Sequence, residues 1–375
     1  MTLKGQATER PGIQFIRPEK LEDVVAEILA LGITHYPPLG WSNQRMASIH
    51  KRMLANPALA EAERLPENWP AEMRAQWGND EGATAAAIHR QDLVGWMSKV
   101  RASLDAFKPD FVILFGDDQY ENFKEDIVPP YCICAFDEFE FGPYPNNVWG
   151  ESPETRFKVP GAPGPAKELT AALIEEGFDA AYAYKPLHNP LGHAFANAIM
   201  FLDYERKNPF KFPIIPVTIN CYGRRVIAQR GGTPKFDEKP LTEADLDPPA
   251  PTPRRLFDLG AAMARSLAKS PHRVAVMASS GWSHAFLTAK KKFLAPDTAS
   301  DRRMYEALVN LDFDAWRNLT GKEVEDAGQQ EILNWLPLLG LLSELGQKPT
   351  ETGLLDTWIF NSSKVFLVAP PVSAK

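Results

Sequence analysis

The chain has 375 residues, with 48 Asp and Glu against 41 Lys and Arg for a formal charge of −7; 44% of its residues are hydrophobic and 24% charged. These are the values of a globular chain with a large core, and they exclude a disordered or fibrous one. The acidic balance without a block of basic residues argues against nucleic acid or an anionic membrane as partner, and no apolar run reaches the roughly 20 residues that span a bilayer.

The stretch Met1 to Lys20 is polar, with no apolar core of the kind a secretory signal needs, so a cytoplasmic protein is expected. Val24 to Ile33 reads as a buried strand or short helix, stopped at Thr34-His35-Tyr36-Pro37-Pro38 by two prolines. Residues 40–82 form a loop-and-helix insertion rich in Trp, Pro and acid, in which His50 is expected to be solvated. Ile88, Leu93, Trp96, Val100 and Leu104 recur at helical spacing and predict a helix over 83–107; Phe111 to Phe115 is a continuous apolar run of the kind a buried parallel strand carries. The alternation continues with a helix over 166–176, a strand over 179–184, a helix over 193–204, a strand over 213–220, a helix over 253–269 and a strand over 273–278. Residues 231–255, rich in Pro and acid, read as a long surface connection. Beyond Ser300 the chain turns helical, most clearly over 323–345, and 358–368 closes as a strand-like tail. The three cysteines, Cys132, Cys134 and Cys221, are too few for a disulfide framework and are expected as reduced core residues. The fold class is therefore α/β: a mostly parallel or mixed central sheet flanked by helices. One elaborated domain over 1–375 is expected, with an insertion at 40–82 and a helical C-terminal part at 300–345.

In such a sheet, ligands bind outside the carboxyl ends of the strands. Four strand exits carry suitable groups: His35; Asp117-Asp118-Gln119 with Glu121; His188 with His193; and Ser279-Ser280-Gly281-Trp282-Ser283-His284. Asp117 and Asp118 have a capping role open to them, and Asp118 is also a substrate-binding candidate. Glu331 interrupts an apolar run, where an unpaired carboxylate would cost several kcal/mol, so it needs a metal ion or an Arg as partner. Imidazoles and a carboxylate near one sheet edge suggest a site for Fe(II), Zn or Mn. Arg224 and Arg225, after the strand over 213–220, are candidates to clamp a substrate carboxylate, or form surface ion pairs.

At these residues the sequence resembles the class III extradiol ring-cleavage dioxygenases, the family of the catalytic subunit of protocatechuate 4,5-dioxygenase and of the gallate dioxygenases. Gly32-Ile33-Thr34-His35-Tyr36-Pro37 resembles its first metal-histidine motif. Ile113 to Phe123 with Ile127-Val128-Pro129-Pro130-Tyr131 resembles the second, and Ala278 to His284 the segment with the acid/base histidine. Gln330 to Trp335 is similar to the helix carrying the metal glutamate, and Tyr184 to Phe201 to the segment with a histidine near the ring, here His188 or His193. One position departs: the family's second metal histidine follows Asn-Asp, whereas here Asp118 is followed by Gln119. The resemblance implies Fe(II) held by His35, Glu331 and either Gln119 or His89, with His284 as acid/base and a small catecholic or gallate-like aromatic and O2 as substrates. It also suggests a homodimer. The altered position leaves open a metal-dependent hydrolase or lyase on the same fold, or a non-catalytic binding member.

Overall fold

A computed structural model describes residues 26–232 and 241–373; part of the 231–255 connection and the polar start of the chain lie outside the described residues. Among the described residues there are ten strands: β1 (Glu27–Ile33), β2 (Phe111–Asp117), β3 (Tyr131–Cys134), β4 (Glu138–Phe141), β5 (Phe157–Pro160), β6 (Ala181–Ala183), β7 (Ile214–Ile219), β8 (Arg273–Ser279), β9 (Glu351–Leu355) and β10 (Lys364–Ser373). Eight form one sheet in the order β6-β3-β7-β2-β8-β1-β10-β9, and β4 and β5 form a separate hairpin. The central strands β7, β2, β8 and β1 are mutually parallel. β3 runs antiparallel to β7, β6 follows β3 in parallel, and β10 and β9 add antiparallel strands at the other side, so the sheet is mixed.

Side chains alternate across β1. Leu29, Leu31 and Ile33 enter the core shared with Leu93, Met97, Val100 and Leu104 of the Ala83–Phe107 helix, while Ile28 and Ala30 enter the core shared with Leu256, Met263, Leu336 and Leu339. A strand buried on both faces reads as the continuous apolar run seen in the sequence. On the second face the Pro253–Leu267 and Trp335–Leu345 helices pack against each other and the sheet. Among the described residues no helix is long and apolar enough to cross a membrane.

Several expectations are refined. Of the run over 24–33, Glu27–Ile33 is a strand, and the expected helix 323–345 is three pieces: a helix at Gly321–Asp326, a 3-10 turn at Gln330–Asn334 and the helix Trp335–Leu345. Gly328, at φ +65°, breaks the first from the second; an added Cβ there would lie 2.4 Å from Thr288 Oγ1. Glu331 thus sits on a tight turn rather than along a continuous helix. The tail is the antiparallel pair β9 and β10. All three cysteines are free and buried.

His50 is a correction. It is 1% exposed, with Trp69 and Trp77 of the insertion packed edge-on against its ring at 5.1 and 5.3 Å. Polar neighbours in sequence gave no hint that the tryptophans fold back over it. Burial pushes its pKa down to about 4 from 6.5. The folded protein therefore binds fewer protons than the unfolded chain between those values, and stability present above pH 6.5 is lost as pH falls towards 4, by roughly 3 kcal/mol. Thermal melts of His50→Phe are expected to lose that part of the acid destabilisation between pH 6.5 and 4 that the wild type shows.

Candidate metal centre

The carboxyl ends of β1, β2, β8 and β7 lie side by side, and each delivers polar groups to one buried cavity of about 90 Å³. His35 follows β1. The register sets Ile33 beside Ser279 of β8, and Ser279 Oγ lies 3.0 Å from His35 Nδ1. When Nδ1–H donates to that hydroxyl, Nε2 carries the lone pair. Nε2 lies 3.3 Å from Glu331 Oε2 and 3.6 Å from Asp117 Oδ1, so a lone pair and two carboxylates converge on one point. Such a cluster calls for a proton or a cation between them.

Glu331 is 2% exposed and fully engaged. Its Oε2 accepts the Gly281 N–H at 2.7 Å; its Oε1 accepts the Tyr222 hydroxyl and lies 3.1 Å from His284 Nε2. Burial pushes its pKa up, but the His284 and His35 imidazoles outweigh burial and hold the carboxyl well below its usual range. Asp117, the last residue of β2, shows no exposure; burial and then the Glu331 charge raise its pKa, against the pull of His35 and His193. Its Oδ1 accepts the Asn334 amide at 3.0 Å, and its Oδ2 is buried with no hydrogen-bond partner. A buried carboxylate with one oxygen unpartnered and the other 3.6 Å from His35 Nε2 fits a bound cation.

His193 opens the His193–Leu202 helix, its ring 5.1 Å from that of His35 in edge contact. Donor atoms of His35, Asp117 and His193 all lie within 4.8 Å of one another. Glu121 Oε2 accepts the His193 backbone N–H at 2.8 Å and lies 3.1 Å from Nδ1. Burial lowers the His193 pKa, yet the Glu121 charge and hydrogen bond outweigh it and leave it well above the usual value.

His284 enters after the Ser279-to-Ser283 turn, its Nδ1 buried without a partner. Gly281 is required here: a Cβ would meet the His284 ring at 2.7 Å and Ser362 Oγ at 2.8 Å. Gln119 lines the cavity. Its amide nitrogen donates to the Gly231 carbonyl at 2.7 Å, which leaves the oxygen as its free group.

The remaining candidates do not join this group. His89 is buried on its helix, stacked on Phe360 at 5.0 Å, its Nε2 without a partner. It is absent from the cavity wall because Tyr36 and Phe360 take the space its ring would cross. His188 is 34% exposed and pairs with Asp126 at 2.9 Å. The carboxylate of Asp118 accepts the backbone N–H groups of Glu121, Asn122 and Phe123 at 2.8, 2.9 and 3.4 Å. It caps the loop, and burial lifts its pKa to about 6. Arg224 pairs with Glu243, and Arg225 is exposed on the same turn, near Glu325. Ser279, part of the strand-exit run ending at His284, places its hydroxyl beside His35 Nδ1; conversely, Tyr222 and Asn334 reach the site without having been singled out. Only Asn334 left a trace, as a polar residue three positions after Glu331 in an apolar run. Asn361 and Ser362 also line the cavity, Asn361 at φ 65°.

Comparison with known proteins decides the family. Residues 77–366 match the family model of the catalytic LigB subunit of aromatic ring-opening dioxygenase. The chain belongs to this family. The match contains Asp117, His193, His284 and Glu331, and begins after His35. A 2,3-dihydroxyphenylpropionate/2,3-dihydroxicinnamic acid 1,2-dioxygenase of Photorhabdus laumondii is 26% identical over 182 residues, 48% of this chain and 44% of that protein. A second, from Pseudomonas putida, is 27% identical over 250 residues, 65% of this chain and 63% of the relative. A third, from Burkholderia vietnamiensis, is 25% identical over 290 residues, 66% and 79% of the two chains. The alignments to the first two thus span less than two thirds of those proteins.

The Glu121 contact generates a prediction. Glu121→Gln removes the charge that raises the His193 pKa, so the His193 imidazole resonances in NMR should titrate at clearly lower pH than in the wild type. An unchanged midpoint would show that Glu121 does not set the protonation of His193.

Proposed function

We propose that this chain is a ferrous extradiol dioxygenase that opens the ring of a catecholic or gallate-like aromatic with O2. The observation that carries the reading is the convergence of His35 Nε2 on Glu331 Oε2 at 3.3 Å and Asp117 Oδ1 at 3.6 Å in a buried cavity. Imidazole and carboxylate with open positions is the donor set of non-haem Fe(II) oxygenases. His35, Glu331 and Asp117 would hold the ion, with the Gln119 oxygen beside them. When bound, a ferrous ion supplies adjacent positions for a catecholate and O2 and a route for electrons between them.

The protein's own groups do the rest. His284, with Nδ1 unpartnered and Nε2 held by Glu331, is placed to take a phenolic proton and return it later. His193, kept charged by Glu121, offers a hydrogen-bond donor beside His35 for developing negative charge on oxygen. Burial of His35, Asp117, Glu331 and His284 keeps bulk water from the reacting atoms. His193 also borders a second cavity of about 340 Å³ lined by Phe141, Tyr144, Arg156 and Leu191. That space suits a ring substituent, in keeping with the propionate side chain named for the relatives' substrate.

Protein purified without oxygen and loaded with ferrous iron is expected to consume O2 with at least one of a panel of catechols, gallates and 2,3-dihydroxyphenylpropionate, giving a ring-opened product. Glu331→Gln and His35→Ala should lose both bound iron and oxygen uptake. Asn334→Ala, which removes the amide that donates to Asp117 Oδ1 and to the Ser279 carbonyl, should weaken iron binding by about 10–100-fold. Stoichiometric iron with no oxygen uptake on any member of the panel would contradict the reading.

A further inference from the structure

His193 stands in the wall of two cavities, the one that gathers the metal-binding group and the one of about 340 Å³ beside it. The β4–β5 hairpin and the loop between its strands supply much of the wall of the second. Along the hairpin Phe139, Phe141 and Val159 are buried, while Glu140 and its cross-strand partner Lys158 are exposed. Arg156 precedes β5 on this wall and is half-exposed. Its Nη1 donates to the Pro153 and Thr155 carbonyls at 2.7 and 2.9 Å, which clamps the guanidinium to its own loop. Nε lies 3.8 Å from Glu140, outside hydrogen-bond reach, and Glu140 is shared with Lys158 at 3.6 Å. Among the described residues Nε and Nη2 thus make no hydrogen bond, and together they form an edge of the guanidinium that can meet a carboxylate bidentately.

Tyr144 lies on the same wall and is tied to the metal-binding group. Asn197, one turn after His193 on the same helix and wholly buried, donates through Nδ2 to the His35 carbonyl at 3.0 Å and to the Tyr144 hydroxyl oxygen at 3.2 Å. Having accepted that bond, the Tyr144 hydroxyl keeps its own proton to donate, and accepting one bond strengthens the other. Glu121, the second carboxylate on the wall, is committed to His193, whose backbone N–H it accepts at 2.8 Å and whose Nδ1 it meets at 3.1 Å. The groups left for a ligand are therefore a fixed guanidinium edge and a phenolic O–H, in a space that adjoins the metal-binding group through His193. We propose that Arg156 and Tyr144 bind a carboxylate carried on a side chain of the aromatic substrate, so that catechols with an acidic tail are preferred over those with an apolar one. This assignment rests on the dioxygenase reading for its ring and goes beyond it in naming what the ring carries.

The test compares two catechols that differ only at the end of the tail, 2,3-dihydroxyphenylpropionate and 3-propylcatechol. Binding of each to the iron-loaded full chain is measured by calorimetry without oxygen, and oxygen uptake is then read separately. The wild type is expected to bind the acid about tenfold or more tightly than the alkyl catechol. Arg156→Met should bring that ratio close to one, Tyr144→Phe should lower it by a few-fold, and Arg156→Lys, which keeps the charge but not the fork, should recover part of it. Because the readout is a ratio, a general loss of folding or of the ring site does not imitate the effect, and the lysine variant guards against a loop damaged by methionine. Equal affinity of the wild type for the two catechols, binding of neither, or a ratio unmoved in both Arg156 variants would overturn the proposal, and oxygen uptake in any of those cases would leave the dioxygenase reading standing. A ratio that falls as expected with no oxygen uptake on either compound would support the carboxylate site and contradict the dioxygenase reading.

Discussion

A buried carboxylate held between two imidazoles is the constraint around which the site is built. Glu331 can stay ionised out of water only because Gly281 N–H, the Tyr222 hydroxyl, His284 and His35 all address its two oxygens. These partners come from three parts of the chain, after β1, β7 and β8, so satisfying one charge fixes the ends of those strands relative to the turn that carries Glu331. Removing any one of them leaves a buried charge short of a partner, which costs far more than a neutral hydrogen bond is worth.

The packing beneath the site serves that arrangement. Gly32 lets the Trp335 ring cross β1, since an added Cβ would lie 2.2 Å from it, and the Trp335 indole donates to Ser280 Oγ at 2.8 Å. The same turn therefore sets Glu331, Asn334 and Trp335 against β1, β2 and β8 together. Arg90 does similar work on the segment after His35. Its guanidinium donates to the Leu39 carbonyl and the Asn43 side chain, both at 2.6 Å, which binds the segment after His35 to the long helix.

Much of this was legible from residues alone, for physical reasons. The parallel core strands announce themselves as apolar runs because both faces are buried, and strand-exit chemistry follows from that topology. His35 and Glu331 stood out because each placed a polar group where the chain is otherwise apolar or ends a strand. The short β3 and β9 were harder to read, since strands of four and five residues next to prolines carry weak periodicity. Side-chain direction was the part the sequence could not supply. Asp117 and Asp118 are adjacent in sequence, yet one points into the cluster and the other caps a loop. His89 lies on the expected helix, but its ring stacks on Phe360, a residue from the far end of the chain. His50 was misjudged for the same reason, its cover coming from tryptophans brought in by folding.

The position of Gln119, where the family resemblance expects an imidazole, gives the account its specific character. A neutral donor has been replaced by an amide, while Asp117, two residues earlier, brings a carboxylate to within 3.6 Å of His35. Ferrous iron would then be held mainly by anionic oxygen and one or two imidazoles. The most direct test is X-ray diffraction from crystals grown without oxygen and loaded with ferrous iron, with data collected above and below the iron edge. The account predicts a single strong anomalous peak bonded to both His35 Nε2 and the Glu331 carboxylate. No peak there, or one bonded to neither residue, would contradict it.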